Sequence, residues 1–223
     1  MQLLTARDLA VVQLVGDFGQ LSSSHIGCLA FHDRSGTVLD RCLLRLVRRG
    51  LLRRAGRMES DLVKGGAGAF VYELGAKGWA LLGRSGRWRM HGVNKHTLDV
   101  AACYVALVEA ERAGQLRLRR FEREVRIGRA QADAEVVLDV AGGSRLHSYI
   151  EVDRDSQRPN VIHSKLSTYL EAWYACAGAQ FPRVLFVVPD EPRKRQVENA
   201  VCSLPEHDQA LFSVRLLNTF PQL

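Results

Sequence analysis

The amino-acid sequence predicts an α+β fold in two parts: a basic, mainly helical first part and a second part built on a mixed β-sheet. Apolar residues recur at helical spacing up to Gly114 and at the two-residue spacing of strands after it. The charge is divided in a similar way. Residues 1–95 contain 15 Lys and Arg against 7 Asp and Glu, whereas residues 96–223 contain 16 against 17.

Three helical segments and two short strands are predicted in the first part. Thr5 and Asp8 have the spacing of a capping box before the first helix, and a third helix is expected over "TVLDRCLLRLVRRG". Strands are expected at residues 51–54 and 70–74, with a glycine-rich loop between them. This order is typical of a winged helix-turn-helix domain, which we place at residues 1–84, followed by a basic linker at residues 85–95.

The predicted third helix has an apolar side and a basic side. We expect the apolar side to be a buried stripe of Val38, Cys42, Leu43, Leu46 and Val47. On the basic side, four arginines fall at spacings of four, seven and eight residues from the first: Arg41, Arg45, Arg48 and Arg49.

The net charge of +8 on residues 1–95 predicts a double-stranded DNA partner for this part of the chain. Thr37 and Arg41, at the start of the third helix, are the candidates for contacts with base edges. Arg45 is a DNA-binding candidate on the same face, and phosphate contacts are predicted for six other cations of the helix and the wing: Arg48, Arg49, Arg53, Arg54, Arg57 and Lys64. The alternatives are a solvated arginine face without a partner and a protein-binding module.

Residues 96–223 are expected to form the second domain, with the element order α-β-β-β-α-β-α-β. Three consecutive strands followed by a crossover to an apolar strand imply a mixed sheet with helices on its faces. No apolar run is long enough for a membrane span, and no phosphate-cradling loop for a nucleotide cofactor is present. We therefore expect a cytoplasmic, DNA-associated protein, and homodimerisation is left open.

Acidic residues at the start of the second strand and at the end of the third make the second domain resemble the PD-(D/E)XK nuclease fold. Nearly the whole chain resembles the replication-relaxation proteins of plasmids, phages and integrative elements of actinobacteria and other Gram-positive bacteria. The matching segments are "LTARDLAVVQLV", "RLVRRGLL", "VYELGAKGWALL", "ADAEVVL", "YIEVDR" and "KLSTYL". The resemblance implies DNA binding in replication, transfer or transcription control, and it does not by itself imply catalysis.

The resemblance to the nuclease fold also implies a metal-dependent cleavage site. Asp133 stands at its first carboxylate position, after Ala132 in place of the usual proline, and Glu151 stands at the second. Asp153 occupies the position of the usual lysine, so Lys165 on the next helix is the candidate replacement. If the site is active, the catalytic residues are Asp133, Glu151 and Lys165. The ligands of Mg²⁺ or Mn²⁺ are then Asp133, Glu151 and Asp153.

Glu151 and Asp153 point to the same face of their strand, where two carboxylates without a cation repel each other. Asp153 can be a further metal ligand, it can pair with a basic side chain such as Arg154 or Arg158, or the site can be degenerate. Two functions therefore stay open: a DNA-binding regulator or replication accessory factor, and a metal-dependent endonuclease or nickase.

Overall fold

The computed structural model describes residues 3–58, 68–154, 159–176 and 181–221. The chain is divided into two compact units, residues 1–105 and residues 106–223. The first consists of helices and a small sheet, and the second contains a five-stranded mixed sheet with helices, which confirms the predicted α+β class. Within the described residues, no helix combines the length and the apolar character that a membrane crossing requires.

Two helices of the first unit, the first and the second, begin at capping boxes. The predicted capping box is confirmed: Asp8 N donates to Thr5 Oγ1 at 3.1 Å, and Thr5 N donates to Asp8 Oδ2 at 3.0 Å. These bonds satisfy main-chain and side-chain groups at the first turn, where amide groups have no helical partner. The four helices are α1 (Ala6–Phe18), α2 (Ser23–Ala30), α3 (Gly36–Arg48) and α4 (Ala76–Leu81).

The sheet of the first unit has one more strand than the sequence predicts. It contains β1 (Gln20–Ser22), β2 (Leu52–Arg57) and β3 (Phe70–Leu74) in the order β1-β3-β2, with antiparallel pairing throughout. β1 is only three residues long and all of them are buried, so it has no alternating pattern that sequence analysis could detect. A register shift between Arg54 and Gly56 interrupts the pairing of β2 with β3.

The buried side of α3 is narrower than predicted. Cys42, Leu43 and Leu46 are buried, but Val38 is 38 % exposed, so its assignment to the buried stripe is wrong. Helical side chains point back toward the N-terminus, which directs those of the first turn away from the packed part of the helix. Val38 instead lines an open cavity of about 390 Å³ together with Phe31 and Arg41.

The second unit follows the predicted element order, with two short additions near the C-terminus. Helix α5 spans the division between the units, and β6 pairs in parallel with β7, as does β7 with β8, while β4, β5 and β6 are antiparallel. The elements are α5 (Lys95–Arg112), β4 (Leu116–Ile127), β5 (Ala130–Val140), β6 (Arg145–Val152), α6 (Pro159–Ala175), β7 (Arg183–Val188), α7 (Glu191–Cys202), α8 (Glu206–Gln209), β8 (Phe212–Leu216) and a final 3₁₀ turn (Leu217–Thr219).

One hydrophobic core joins α6 and α7 to the same face of the five-stranded sheet. Leu166 and Tyr169 of α6 and Val197 of α7 are buried in it with Phe186 of β7 and Val214 of β8. Burial of these side chains is the main stabilising contribution to this layer. Because both helices cover one face, their polar side chains can meet the residues at the end of β6.

We predict that Gly78→Ala destabilises the first unit. A Cβ atom at Gly78 would lie 2.1 Å from the carbonyl oxygen of Leu51, and a backbone atom cannot move away as a flexible side chain can. Overpacking of this kind costs about 1–3 kcal/mol in the free energy of unfolding, measurable as a lower melting temperature.

Gly36→Ala is the matched control, because Gly36 also lies in a helix and a Cβ atom there would meet nothing within 4 Å. Alanine favours helix, so this variant is expected to melt at or slightly above the wild-type temperature. Equal melting of the Gly78→Ala variant and the wild type would contradict the close approach.

Candidate functional site

Glu151 is the buried centre of the candidate site in the second unit. It lies near the end of β6 and is 2 % exposed. Lys165 Nζ donates to Glu151 Oε2 at 2.7 Å, and Tyr169 Oη donates to Glu151 Oε1 at 2.6 Å. Lys165 and Tyr169 are four residues apart, so they lie on the same side of α6 and together hold both oxygens of the carboxylate.

Asp133 lies beside Glu151, where β5 departs from a regular strand. The pairing of β5 with β6 ends at Ala134 and Ile150, and beyond it Val152 N donates to Asp133 Oδ2 at 2.8 Å. The Asp133 side chain thus accepts the hydrogen bond that a main-chain carbonyl accepts in regular strand pairing. On the neighbouring strand β4, Glu124 has a φ of 57°, an uncommon value for a residue other than glycine.

Asp153 has a different partner. It is 2 % exposed, and Asp153 N donates to Val187 O at 2.9 Å, which continues the pairing of β6 with β7. Arg193, in the first turn of α7 and also 2 % exposed, donates to Asp153 Oδ1 from Nη2 at 2.8 Å and from Nε at 3.2 Å. Among the described residues, Asp153 Oδ2 has no hydrogen-bond partner.

The electrostatic balance keeps Lys165 charged. Burial opposes the charged form of this side chain, but the attraction of Glu151 and its hydrogen bond outweigh burial, and the pKa of Lys165 is raised. Burial raises the pKa of Glu151, with the charge of Asp133 adding to the effect and Lys165 opposing it. A lysine held as a cation cannot accept a proton, so this arrangement allows Lys165 to stabilise negative charge but not to act as a general base.

The structure brings together the three predicted catalytic residues, Asp133, Glu151 and Lys165, and directs Asp153 to Arg193. In this arrangement Lys165 compensates the charge of Glu151 and Arg193 compensates that of Asp153. Both oxygens of Glu151 and one of Asp133 accept hydrogen bonds, and among the described residues Asp153 Oδ2 is the carboxylate oxygen of this group found buried without one. No group of three or more His, Cys, Asp or Glu within the described ranges is placed to hold a metal ion.

In the first unit, Arg45 of the predicted arginine face binds a buried carboxylate. Arg45 Nη2 lies 2.5 Å from Oδ1 of Asp8, whose side chain is 1 % exposed. Burial of Asp8 would raise its pKa, but the hydrogen bonds from Arg45, Thr5 and Cys42 together lower it. Asp8 therefore stays ionised, and Arg45 has a structural partner inside its own unit.

Arg53 binds a second buried carboxylate. Arg53 Nε lies 2.5 Å from Glu73 Oε1, and Gln20 Nε2 donates to Glu73 Oε2 at 3.1 Å. Arg53 and Gln20 also bind the backbone of the predicted linker. Arg53 donates to His91 O, and Gln20 Nε2 donates to Gly92 O at 2.7 Å. The segment at residues 91–94 is thus fixed to the three-stranded sheet.

The other predicted DNA-binding residues have fewer intramolecular partners. Thr37, Arg41 and Arg48 are exposed on α3, and Arg49 follows as its C-cap. Arg54 and Arg57 are exposed on β2, where both guanidinium groups contact the ring of Phe70. Lys64 lies outside the described residues.

Sequence analysis missed two residues of the candidate site, Tyr169 and Arg193. A buried tyrosine hydroxyl needs a hydrogen-bond partner, and the spacing of four residues between Lys165 and Tyr169 is the signal that points to a shared one. Arg193 lies 40 residues from Asp153 in the sequence, and no local pattern connects them.

We predict that Lys165→Met destabilises the second unit more at pH 8 than at pH 5. Without Lys165, the pKa of Glu151 rises further above its unfolded value, and stability then falls as pH rises through the interval between the two values. Because Lys165 is partly exposed, the free energy of unfolding at pH 8 should fall by about 2–4 kcal/mol. Thermal melting at both pH values measures it.

The double variant Glu151→Gln/Lys165→Met is the control, since it has no buried carboxylate at position 151. Its loss of stability should be the same at pH 5 and pH 8. If Lys165→Met alone shows no pH dependence relative to the wild type, Glu151 is not the carboxylate that Lys165 compensates.

The family model described as replication-relaxation matches residues 12–188, a segment that runs from α1 to the end of β7 and contains Asp133, Glu151, Asp153 and Lys165. No curated protein matches the chain. The family description points to a role in replication or relaxation. Because the match covers well over half of its residues, the chain belongs to the replication-relaxation family.

Proposed function

We propose that the chain is a double-stranded DNA-binding protein of a plasmid, phage or integrative element that acts in replication, transfer or transcription control. The observation that carries this proposal is a set of arginines in the first unit that form no ion pair with the described residues. No described residue forms an ion pair with Arg41, Arg48, Arg54 or Arg57. A surface of unpaired guanidinium groups on a unit of high positive charge is suited to a polyanion.

The order of elements in the first unit supports a winged helix-turn-helix. Three helices precede the hairpin of β2 and β3, and β1 completes the sheet, as in that domain. In this proposal α3 enters the major groove, with Thr37 and Arg41 at the base edges. Arg48, Arg49, Arg54 and Arg57 bind phosphates, whereas Arg45 and Arg53 mainly hold the domain together.

For the second unit we propose a nuclease-like domain that has lost its activity. Lys165 is bound to Glu151, and the aspartate at the usual lysine position is paired with a buried arginine. These contacts compensate charges that an active site would use on a metal ion and a phosphate. The domain then serves binding or assembly, and the family role in replication or relaxation depends on DNA contact by the first unit.

A metal-dependent endonuclease or nickase is the second candidate function, and one observation favours it. Lys165 lies 2.7 Å from Glu151 and interacts electrostatically with Asp133, so the three groups that cleavage needs are already in one place. In this alternative Asp133 and Glu151 would hold a cation that activates water, and Lys165 would stabilise negative charge on a phosphate.

We predict that Arg48→Ala/Arg49→Ala weakens binding of the full chain to specific and random duplex DNA alike. Loss of two phosphate contacts should reduce the slope of log affinity against log salt by about one to two. Fluorescence anisotropy with labelled duplexes at several salt concentrations measures both quantities. The control is Arg195→Ala, which removes an exposed arginine from α7 and should leave the slope unchanged.

Absence of DNA binding by the wild-type chain at low salt would overturn the proposed function. An unchanged salt slope in the Arg48→Ala/Arg49→Ala variant would remove these two residues from the DNA contact surface.

We predict that the full chain does not nick supercoiled DNA in Mg²⁺ or Mn²⁺, because the site carboxylates are already compensated. Agarose electrophoresis of the plasmid forms tests this directly. Mn²⁺-dependent nicking that disappears in Glu151→Ala but persists in Glu191→Ala, with DNA binding intact in both, would establish the enzyme instead.

A further inference from the structure

The irregular register of β2 brings two arginines to one face of the small sheet. Arg54 pairs with Tyr72 and Arg57 pairs with Phe70, with the register shift between them. Residues three apart in a regular strand point to opposite faces, but one extra residue restores the same face. Tyr72 and Phe70 are two apart on β3, so Arg54, Arg57 and Phe70 all share a face.

Both guanidinium groups contact the ring of Phe70. The Cζ atoms of Arg54 and Arg57 lie over the ring at 4.0 Å and 3.6 Å from its centroid. Each guanidinium group therefore gains a cation–π interaction with the same ring.

This stack leaves the hydrogen-bond donors of both arginines accessible. A guanidinium group that stacks through its flat face keeps its N–H donors at its edges, where they can reach a phosphate. Arg57 Nη1 donates to Gly68 O at 2.9 Å, which further fixes that side chain. Two guanidinium groups held against one ring place two positive charges together at an exposed position, and this points to an anion as the ligand.

We propose that Arg54, Phe70 and Arg57 form a preformed clasp for the phosphates of duplex DNA, with Phe70 as its positioning residue. The proposal rests on the proposed DNA-binding function. Arginine side chains lose rotamer freedom when they bind, and the ring removes part of that loss before DNA arrives. Two cations held against one ring also repel each other, and a phosphate relieves that repulsion.

The test compares three full-length proteins in binding to a random-sequence duplex: the wild type, Phe70→Leu and Phe70→Tyr. Phe70→Leu keeps an apolar side chain but loses the aromatic faces, and should weaken binding about three- to tenfold, as expected for two cation–π contacts. Phe70→Tyr keeps the ring and should bind within about twofold of the wild type. Phe70→Met provides the same comparison if Phe70→Leu melts early.

A double-mutant comparison separates positioning from a general structural role. In the Arg54→Ala/Arg57→Ala background, Phe70→Leu should have no further effect on affinity, because no guanidinium group remains to be positioned. An equal loss in both backgrounds, or wild-type affinity in Phe70→Leu, overturns the clasp while leaving DNA binding in place. Failure of the wild type to bind DNA overturns the proposed function and the clasp together.

Discussion

Two buried carboxylates at the end of β6 constrain the arrangement of the second unit. Glu151 and Asp153 are each 2 % exposed and point toward the same layer of helices. An ionised group in that environment needs a cation, and removal of one partner from such a pair costs about 3–5 kcal/mol. α6 supplies Lys165 and α7 supplies Arg193, so the charge requirement of one strand end helps to fix the position of both helices.

The same rule decides which arginines of the first unit can face a partner. Asp8 and Glu73 are buried, and each binds an arginine that the sequence placed among the DNA contacts, Arg45 and Arg53. The arginines without a buried carboxylate nearby remain at the surface. Arginines with a structural role and those proposed to bind DNA therefore cannot be told apart by residue type or spacing, since their partners depend on where the acidic residues are buried.

In the proposed nuclease-like domain, Asp153 stands where the nuclease pattern that the sequence resembles has lysine. An aspartate there requires its own cation, and Arg193 meets that need from inside the fold. Lys165 meanwhile compensates the charge of Glu151, so the substitution Glu151→Gln would leave the ammonium group of Lys165 without its carboxylate.

Local sequence patterns predict the α+β class, the capping box at Thr5 and the order of strands and helices in the second unit. These features depend on periodicity and on caps within short segments. The sequence offered Lys165 as a partner of the site carboxylates only for the case of an active site. The contact of Lys165 with Glu151, the addition of Tyr169 and Arg193 to the site, the presence of β1 and the contact of Arg54 and Arg57 with Phe70 follow from the tertiary structure. The partners of Arg53 and Arg193 lie 20 and 40 residues away, and burial and packing, which no local pattern contains, select them.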